Sequence, residues 1–265
     1  MSGIIRNFAP VLLALAASGS AFGQGCTNND FKGTYSAIAT GNFISPPPGV
    51  PAGPTARVGR VQLDGNGISS IKATLSLSGV ILEEIYGGTY KINADCTATV
   101  ILQVPFPGAP APVPFEFNGM LVNEGRAMNL ILVSPQGTDV RIMLTKQRKP
   151  ACTNGDLNGD YALNMAGVQL SGVFVPQGFF ARVGKVSFDG AGGFKSNVQS
   201  SYAGRIFAES FNGTYSMSPD CSFTANFTAT VPSSWFGVMA DTMSGANVIQ
   251  SNPGTVITGT LISVH

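Results

Sequence analysis

Six blocks of this chain occur twice, in the same order, and that repeat limits the possible folds more than any other feature. Cys26-Thr27-Asn28 returns as Cys152-Thr153-Asn154, and Phe31-Lys32-Gly33-Thr34-Tyr35 as Leu157-Asn158-Gly159-Asp160-Tyr161. Ala56-Arg57-Val58-Gly59-Arg60-Val61 returns as Ala181-Arg182-Val183-Gly184-Lys185-Val186, and Leu63-Asp64-Gly65-Asn66-Gly67 as Phe188-Asp189-Gly190-Ala191-Gly192. Gly88-Thr89-Tyr90 and Asp95-Cys96 return as Gly213-Thr214-Tyr215 and Asp220-Cys221. The offset is 126 at the start and 125 afterwards, as one deletion in a long loop would produce. The chain therefore reads as two tandem copies of one unit, residues 24–148 and 149–265, joined through the basic linker Lys146-Gln147-Arg148-Lys149-Pro150.

Each copy reads as short strands broken by turn residues. In the first copy they fall at 33–43, 55–64, 67–78, 80–93, 97–104, 114–122, 126–134 and 138–146. Thr, Val, Ile, Tyr and Phe are frequent there, as a pleated, half-buried surface favours. Asp-Gly at 64–65 and 189–190 marks tight hairpin turns with positive φ at both central positions. Only 11% of residues are charged. So uncharged a sheet defends an open edge poorly, so the expected fold is all-β: two antiparallel up-and-down barrels of about eight strands each, with β-sandwiches as the alternative.

The order of these motifs, Gly-x-Tyr, then Val-Gly-x-Val-x-Phe/Leu-Asp-Gly-x-Gly, then Gly-Thr-Tyr-x-x-x-x-Asp-Cys, resembles a group of uncharacterised secreted bacterial proteins of acidobacteria-like genomes. The resemblance spans both copies and implies no assigned activity. More loosely, the opening Gly-x-Tyr is similar to the Gly-x-Trp start of lipocalin-like (calycin) barrels, with Tyr35 and Tyr161 in place of the Trp and the other lipocalin motifs missing. That likeness implies a barrel and leaves its ligand open.

Residues 1–23 read as an export signal: Arg6 is the positive region, Val11 to Ala17 the apolar run, and Ala21-Phe22-Gly23 the small residues before cleavage. The run is too short to span a bilayer. The expected location is secreted, periplasmic or at the cell surface. Export permits oxidation of the four cysteines. The repeat favours Cys26–Cys96 and Cys152–Cys221 among the three possible connectivities, because each unit then folds identically.

A net charge of +1 argues against nucleic acid or acidic lipid as a partner. The single histidine, His265, ends the chain, which works against histidine-based hydrolysis and against zinc. Asp156-Leu157-Asn158-Gly159-Asp160 looks like the start of a calcium loop, but Tyr161 and Gly167 stand where such a loop needs Gly and an acid. No cofactor and no metal is implied.

One constellation stands out. Arg57 and Arg182 are equivalent, as are Glu84 and Glu209, and period-two counting puts all four on interior faces. Reflection through turns near 65–66 and 79–80 levels Arg57 with Glu84, one strand between them, about 9.5 Å apart at twice the strand spacing. The same reflection levels Arg182 with Glu209. A buried charge must be paired, so two interior ion pairs are expected, fixing register or anchoring a ligand.

In a meander the odd-numbered loops share one end. They include 45–54, 105–114, 174–180 and 231–236, long and proline-stiffened, and the ion pairs lie toward them. The expected role is an exported non-catalytic binding protein holding an apolar small molecule or a partner surface at that end. Candidate binding residues are Arg57, Glu84, Tyr35 and Tyr90 in the first copy and Arg182, Glu209, Tyr161, Tyr215 and Trp235 in the second. The alternatives are a structural or cell-surface adhesion protein and a barrel-type cyclase or isomerase using Glu84 and interior tyrosines.

Overall fold

A computed structural model describes residues 25–106, 109–147, 151–171, 175–228, 233–241 and 245–264. The export signal at 1–23 lies outside the described residues, as do parts of the linker and of four inter-strand loops.

Each copy closes into an eight-stranded antiparallel barrel in meander order. The first comprises β1 (Gly33–Phe43), β2 (Gly53–Leu63), β3 (Ile68–Leu77), β4 (Val80–Ile92), β5 (Thr97–Val104), β6 (Val113–Val122), β7 (Ala127–Ser134) and β8 (Thr138–Lys146). The second comprises β9 (Asn158–Gln169), β10 (Gly178–Asp189), β11 (Gly193–Tyr202), β12 (Arg205–Met217), β13 (Ser222–Thr228), β14 (Ser233–Ala240), β15 (Gly245–Gln250) and β16 (Thr255–Ser263). The closing ladders, Tyr35↔Lys146 to Phe43↔Thr138 and Gln169↔Thr255 to Tyr161↔Ser263, distinguish barrels from sandwiches. Alternation sets the core: in β5, Ala98, Val100, Leu102 and Val104 are buried while Ile101 and Gln103 are exposed.

The Asp-Gly turns are wider than two-residue hairpins. Oδ1 of Asp64 accepts from the amides of Asn66, Gly67 and Ile68 at 2.7–3.0 Å, and Oδ1 of Asp189 from Ala191, Gly192 and Gly193 at 2.8–2.9 Å. Glycines take the left-handed positions on either side of the central residue, Gly65 at φ 85° and Gly67 at φ 109°. These amide bonds hold both carboxyls below the usual carboxylate range.

The even end of each barrel is stoppered by a 3-10 turn, Asn28–Phe31 and Asn154–Asp156. Phe31 and Leu157 are buried in the two cores. Oδ1 of Asn28 accepts from the Ile92 amide at 2.7 Å, and Oδ1 of Asn154 from the Met217 amide at 2.8 Å. The disulfides Cys26–Cys96 and Cys152–Cys221 tie each stopper to the β4–β5 and β12–β13 turns. Asp156 and Asp160 have local partners: Asp156 accepts from the Thr153 amide at 2.9 Å, and Asp160 meets Lys185 at 3.1 Å.

The barrels lie side by side with both loop-rich ends pointing the same way. Gly254 donates to the Gly79 carbonyl at that end (2.7 Å), and Asp241 donates to the Lys146 carbonyl at the other (2.8 Å). Between them Ala56 and Val58 pack on Val238, Ile249 and Val256. Nδ2 of Asn247 donates to Oγ of Ser36 at 2.9 Å, and that hydroxyl donates to the Val238 carbonyl at 3.0 Å. No helix among the described residues is long and apolar enough to cross a membrane. The two disulfides fit an oxidising compartment.

Candidate functional site in the mouth of the second barrel

Both interior ion pairs form. In the first barrel Arg57 on β2 reaches Glu84 on β4 with two bonds, Nε to Oε2 at 2.7 Å and Nη2 to Oε1 at 3.2 Å. Arg57 is level with Leu75 and Leu82, whereas Glu84 is level with Ala73 and Gly59. The partners therefore sit two positions apart along the strands, and the long guanidinium side chain spans the offset diagonally. A Cβ at Gly59 would come within 2.5 Å of the Ala73 Cβ, so this strand approach requires glycine.

The first pair is sealed. The Arg57 and Glu84 side chains are 12% and 4% exposed. Burial works against the Arg57 charge, but Tyr86 and Glu84 outweigh it and hold the guanidinium above its ordinary range. Burial pushes the Tyr86 phenol up to about 12, against the pull of Arg57. Above the pair, Phe43, Phe106 and Phe115 pack ring against ring, and Phe106 comes down from the β5–β6 loop. The remaining space is about 40 Å³ beneath Arg57 and about 10 Å³ above it. That is room for water and not for an organic ligand.

The second pair is built differently. Arg182 on β10 gives Nε to Oγ of Ser200 at 2.7 Å, and Nη2 to the Tyr202 hydroxyl at 2.8 Å and to Oε2 of Glu209 at 3.0 Å. Its guanidinium carbon lies 5.1 Å from the ring centres of both Phe180 and Phe211, within cation–π range. Burial raises the Tyr202 phenol above its usual value, against the pull of Arg182. The Glu209 side chain is 21% exposed against 4% for Glu84, and Phe207 beside it is 42% exposed. The β5–β6 connection runs from Val104 to Val113 and brings Phe106 over the first pair; the connection between β13 and β14 is shorter in sequence, from Thr228 to Ser233.

The other candidates divide by position. Trp235 is in strand β14 rather than in the preceding loop, buried against Phe227 and Phe194, and its indole N–H has no partner among the described residues. Phe211 packs on Phe227 and Phe227 on Trp235, linking Arg182 to the indole through rings. Tyr35, Tyr90, Tyr161 and Tyr215 lie at the stoppered end, away from both ion pairs. The Tyr35 hydroxyl donates to Gly125 O at 2.8 Å, and that of Tyr215 to Leu157 O at 2.7 Å. The Tyr90 hydroxyl accepts from the Gly65 amide at 2.8 Å, and Tyr161 packs edge-on to Phe188. Counting of strand periods found the charges; Ser200, Tyr202, Phe180 and Phe211 also lie on that face but carry no signal in a single sequence that sets them apart from core.

No family model matches the chain, and no curated protein does. Among solved structures, a protein of unknown function of the DUF3598 family from Nostoc punctiforme aligns with 90% of this chain and 99% of its own, at 12% identity and a TM-score of 0.26. Similarity at that level supports no inference about role.

Proposed function

We propose that this is an exported, non-catalytic binding protein that takes an apolar small molecule, or an apolar part of a partner, at the mouth of its second barrel. The observation that carries the reading is the Arg182–Ser200–Tyr202–Glu209 network, a satisfied polar anchor flanked by Phe180, Phe207 and Phe211 and left partly open to solvent. Apolar walls with a few convergent polar groups are what small-molecule sites use. The Tyr202 hydroxyl accepts from Arg182 and donates to Glu209 at 3.3 Å, so its one proton is held within the network and it is no base. The lipocalin-like arrangement, in which one small barrel holds one ligand, fits this second barrel better than the first. A structural role suits the first barrel, whose interior is filled.

Native mass spectrometry of the protein purified without denaturation should find a bound small molecule. The uncharged fluorophore N-phenyl-1-naphthylamine should bind saturably to the intact chain, and Phe207→Ala, at a ring 42% exposed, should weaken it several-fold with little change in unfolding midpoint. A protein with neither a bound mass nor saturable fluorescence would refute the reading.

A further inference from the structure

We propose that the groove between the two barrels is a second site, independent of the mouth, for an acidic saccharide: a polyhydroxylated ligand carrying a carboxylate. The groove encloses about 660 Å³, within the range of specific small-ligand sites. Its walls are the closing seams of the two barrels, β1 with β8 on one side and β9 with β16 on the other. The walls are equivalent in register and opposite in chemistry. The cross-strand pair Ile38–Met143 of the first barrel corresponds to Asn164–Thr260 of the second, and Thr40–Arg141 to Ala166–Thr258. One wall therefore offers apolar surface and a cation; the other offers hydroxyls and an amide on small residues.

Leu130 and Ile142 also border the groove, but their side chains are buried in the first core. Among the side chains left to face it, Thr40, Asn129, Arg141, Asn164, Thr258 and Thr260 carry polar groups, set in a lining whose surface is mostly apolar carbon. Hydroxyls and amides both donate and accept, as sugar hydroxyls do, so each can pair with a ligand of that class. Ile38 and Met143 offer contact for the C–H face of a sugar ring. An acyl chain would leave the same amides and hydroxyls dry and unpaired. A peptide cannot add as a strand, because both walls are sheet faces rather than edges.

Arg141 supplies the charge preference. Its Nε donates to Oγ1 of Thr40 at 3.3 Å, and no carboxylate pairs with it among the described residues, whereas Arg57, Arg126 and Arg182 each meet one. The planar guanidinium edge is thus available for two parallel bonds to a carboxylate.

The test is calorimetric titration of the intact chain with trigalacturonic acid, with maltotriose as the neutral comparison and palmitate as the acyl one. Trigalacturonic acid should bind at least tenfold more tightly than maltotriose. Arg141→Gln should remove that preference, and Asn164→Leu with Thr260→Val should weaken binding at least tenfold. The replaced side chains lie on the surface or at the groove margin, and unchanged unfolding midpoints would certify the fold. Saturating N-phenyl-1-naphthylamine should leave the saccharide isotherm unchanged. Absence of saccharide binding, an acid preference that survives Arg141→Gln, displacement by the fluorophore, or palmitate binding in place of saccharide would each overturn the proposal.

Discussion

Nε of Arg57 lies 2.7 Å from Oε2 of Glu84, and around this pair the first barrel leaves only water-sized gaps. Removing Glu84 strands a guanidinium in the core, so Glu84→Ala should cost about 3–5 kcal/mol in urea unfolding. Arg57→Met combined with Glu84→Leu should recover most of that. Glu209→Ala should cost less, about 1–3 kcal/mol, because Arg182 keeps Ser200 and Tyr202 and the site is partly wet. Equal costs for the two single replacements would mean that exposure does not govern the difference.

Each disulfide closes a loop of about 70 residues, worth roughly 4 kcal/mol in the chain-entropy account. Non-reducing peptide mapping should recover the 26–96 and 152–221 linkages alone. Reduction should lower the unfolding midpoint of the whole chain, and replacing either pair with serine should reproduce part of that fall.

Asp64 and Asp189 have carboxyl pKa values lowered in the folded state by backbone amides. A lowered folded pKa gives stability that is present above the unfolded value near 3.8 and is lost as pH falls through the folded one. The wild type should therefore lose stability in acid below about pH 4. Asp64→Asn with Asp189→Asn should be less stable at pH 7 and should show a shallower acid limb. An acid limb identical to the wild type would show that these turns do not contribute to it.

Residues 24–148 and 149–265 each contain a closed ladder, a core and a disulfide. Expressed separately in an oxidising compartment, each should give the circular dichroism of a folded β-protein. Each should also associate more readily than the intact chain, since Val58 on one half and Val238 and Ile249 on the other lose their cover. Two halves that stay unfolded alone would mean that this interface is needed for either core.

Strand positions, turn sites, disulfide pairing and the inward direction of Arg57, Glu84, Arg182 and Glu209 could all be read from the sequence. Each follows from a local rule, period-two alternation or turn chemistry, or from the symmetry of the repeat. Register is less local. Turns near 65–66 and 79–80 would level Arg57 with Glu84, but the loop centred on Asn66 and the two-residue turn at Ser78–Gly79 level it with Leu82. Each small shift of a turn centre moves every residue beyond it.

The sequence by itself determined two all-β units of one design and favoured barrels, because a repeated alternating pattern with few charges has few ways to bury its apolar face and its edges; the closing ladders decided against sandwiches. Only the tertiary structure decided which mouth is filled. In the first, Phe106 packs with Phe43 and Phe115 and the Glu84 side chain is 4% exposed; in the second, Glu209 is 21% exposed. The tertiary structure also decided that Ile38 and Arg141 of one seam face Asn164 and Thr258 of the other. That groove brings together residues of two separately closed sheets, and no periodicity within either sheet encodes it.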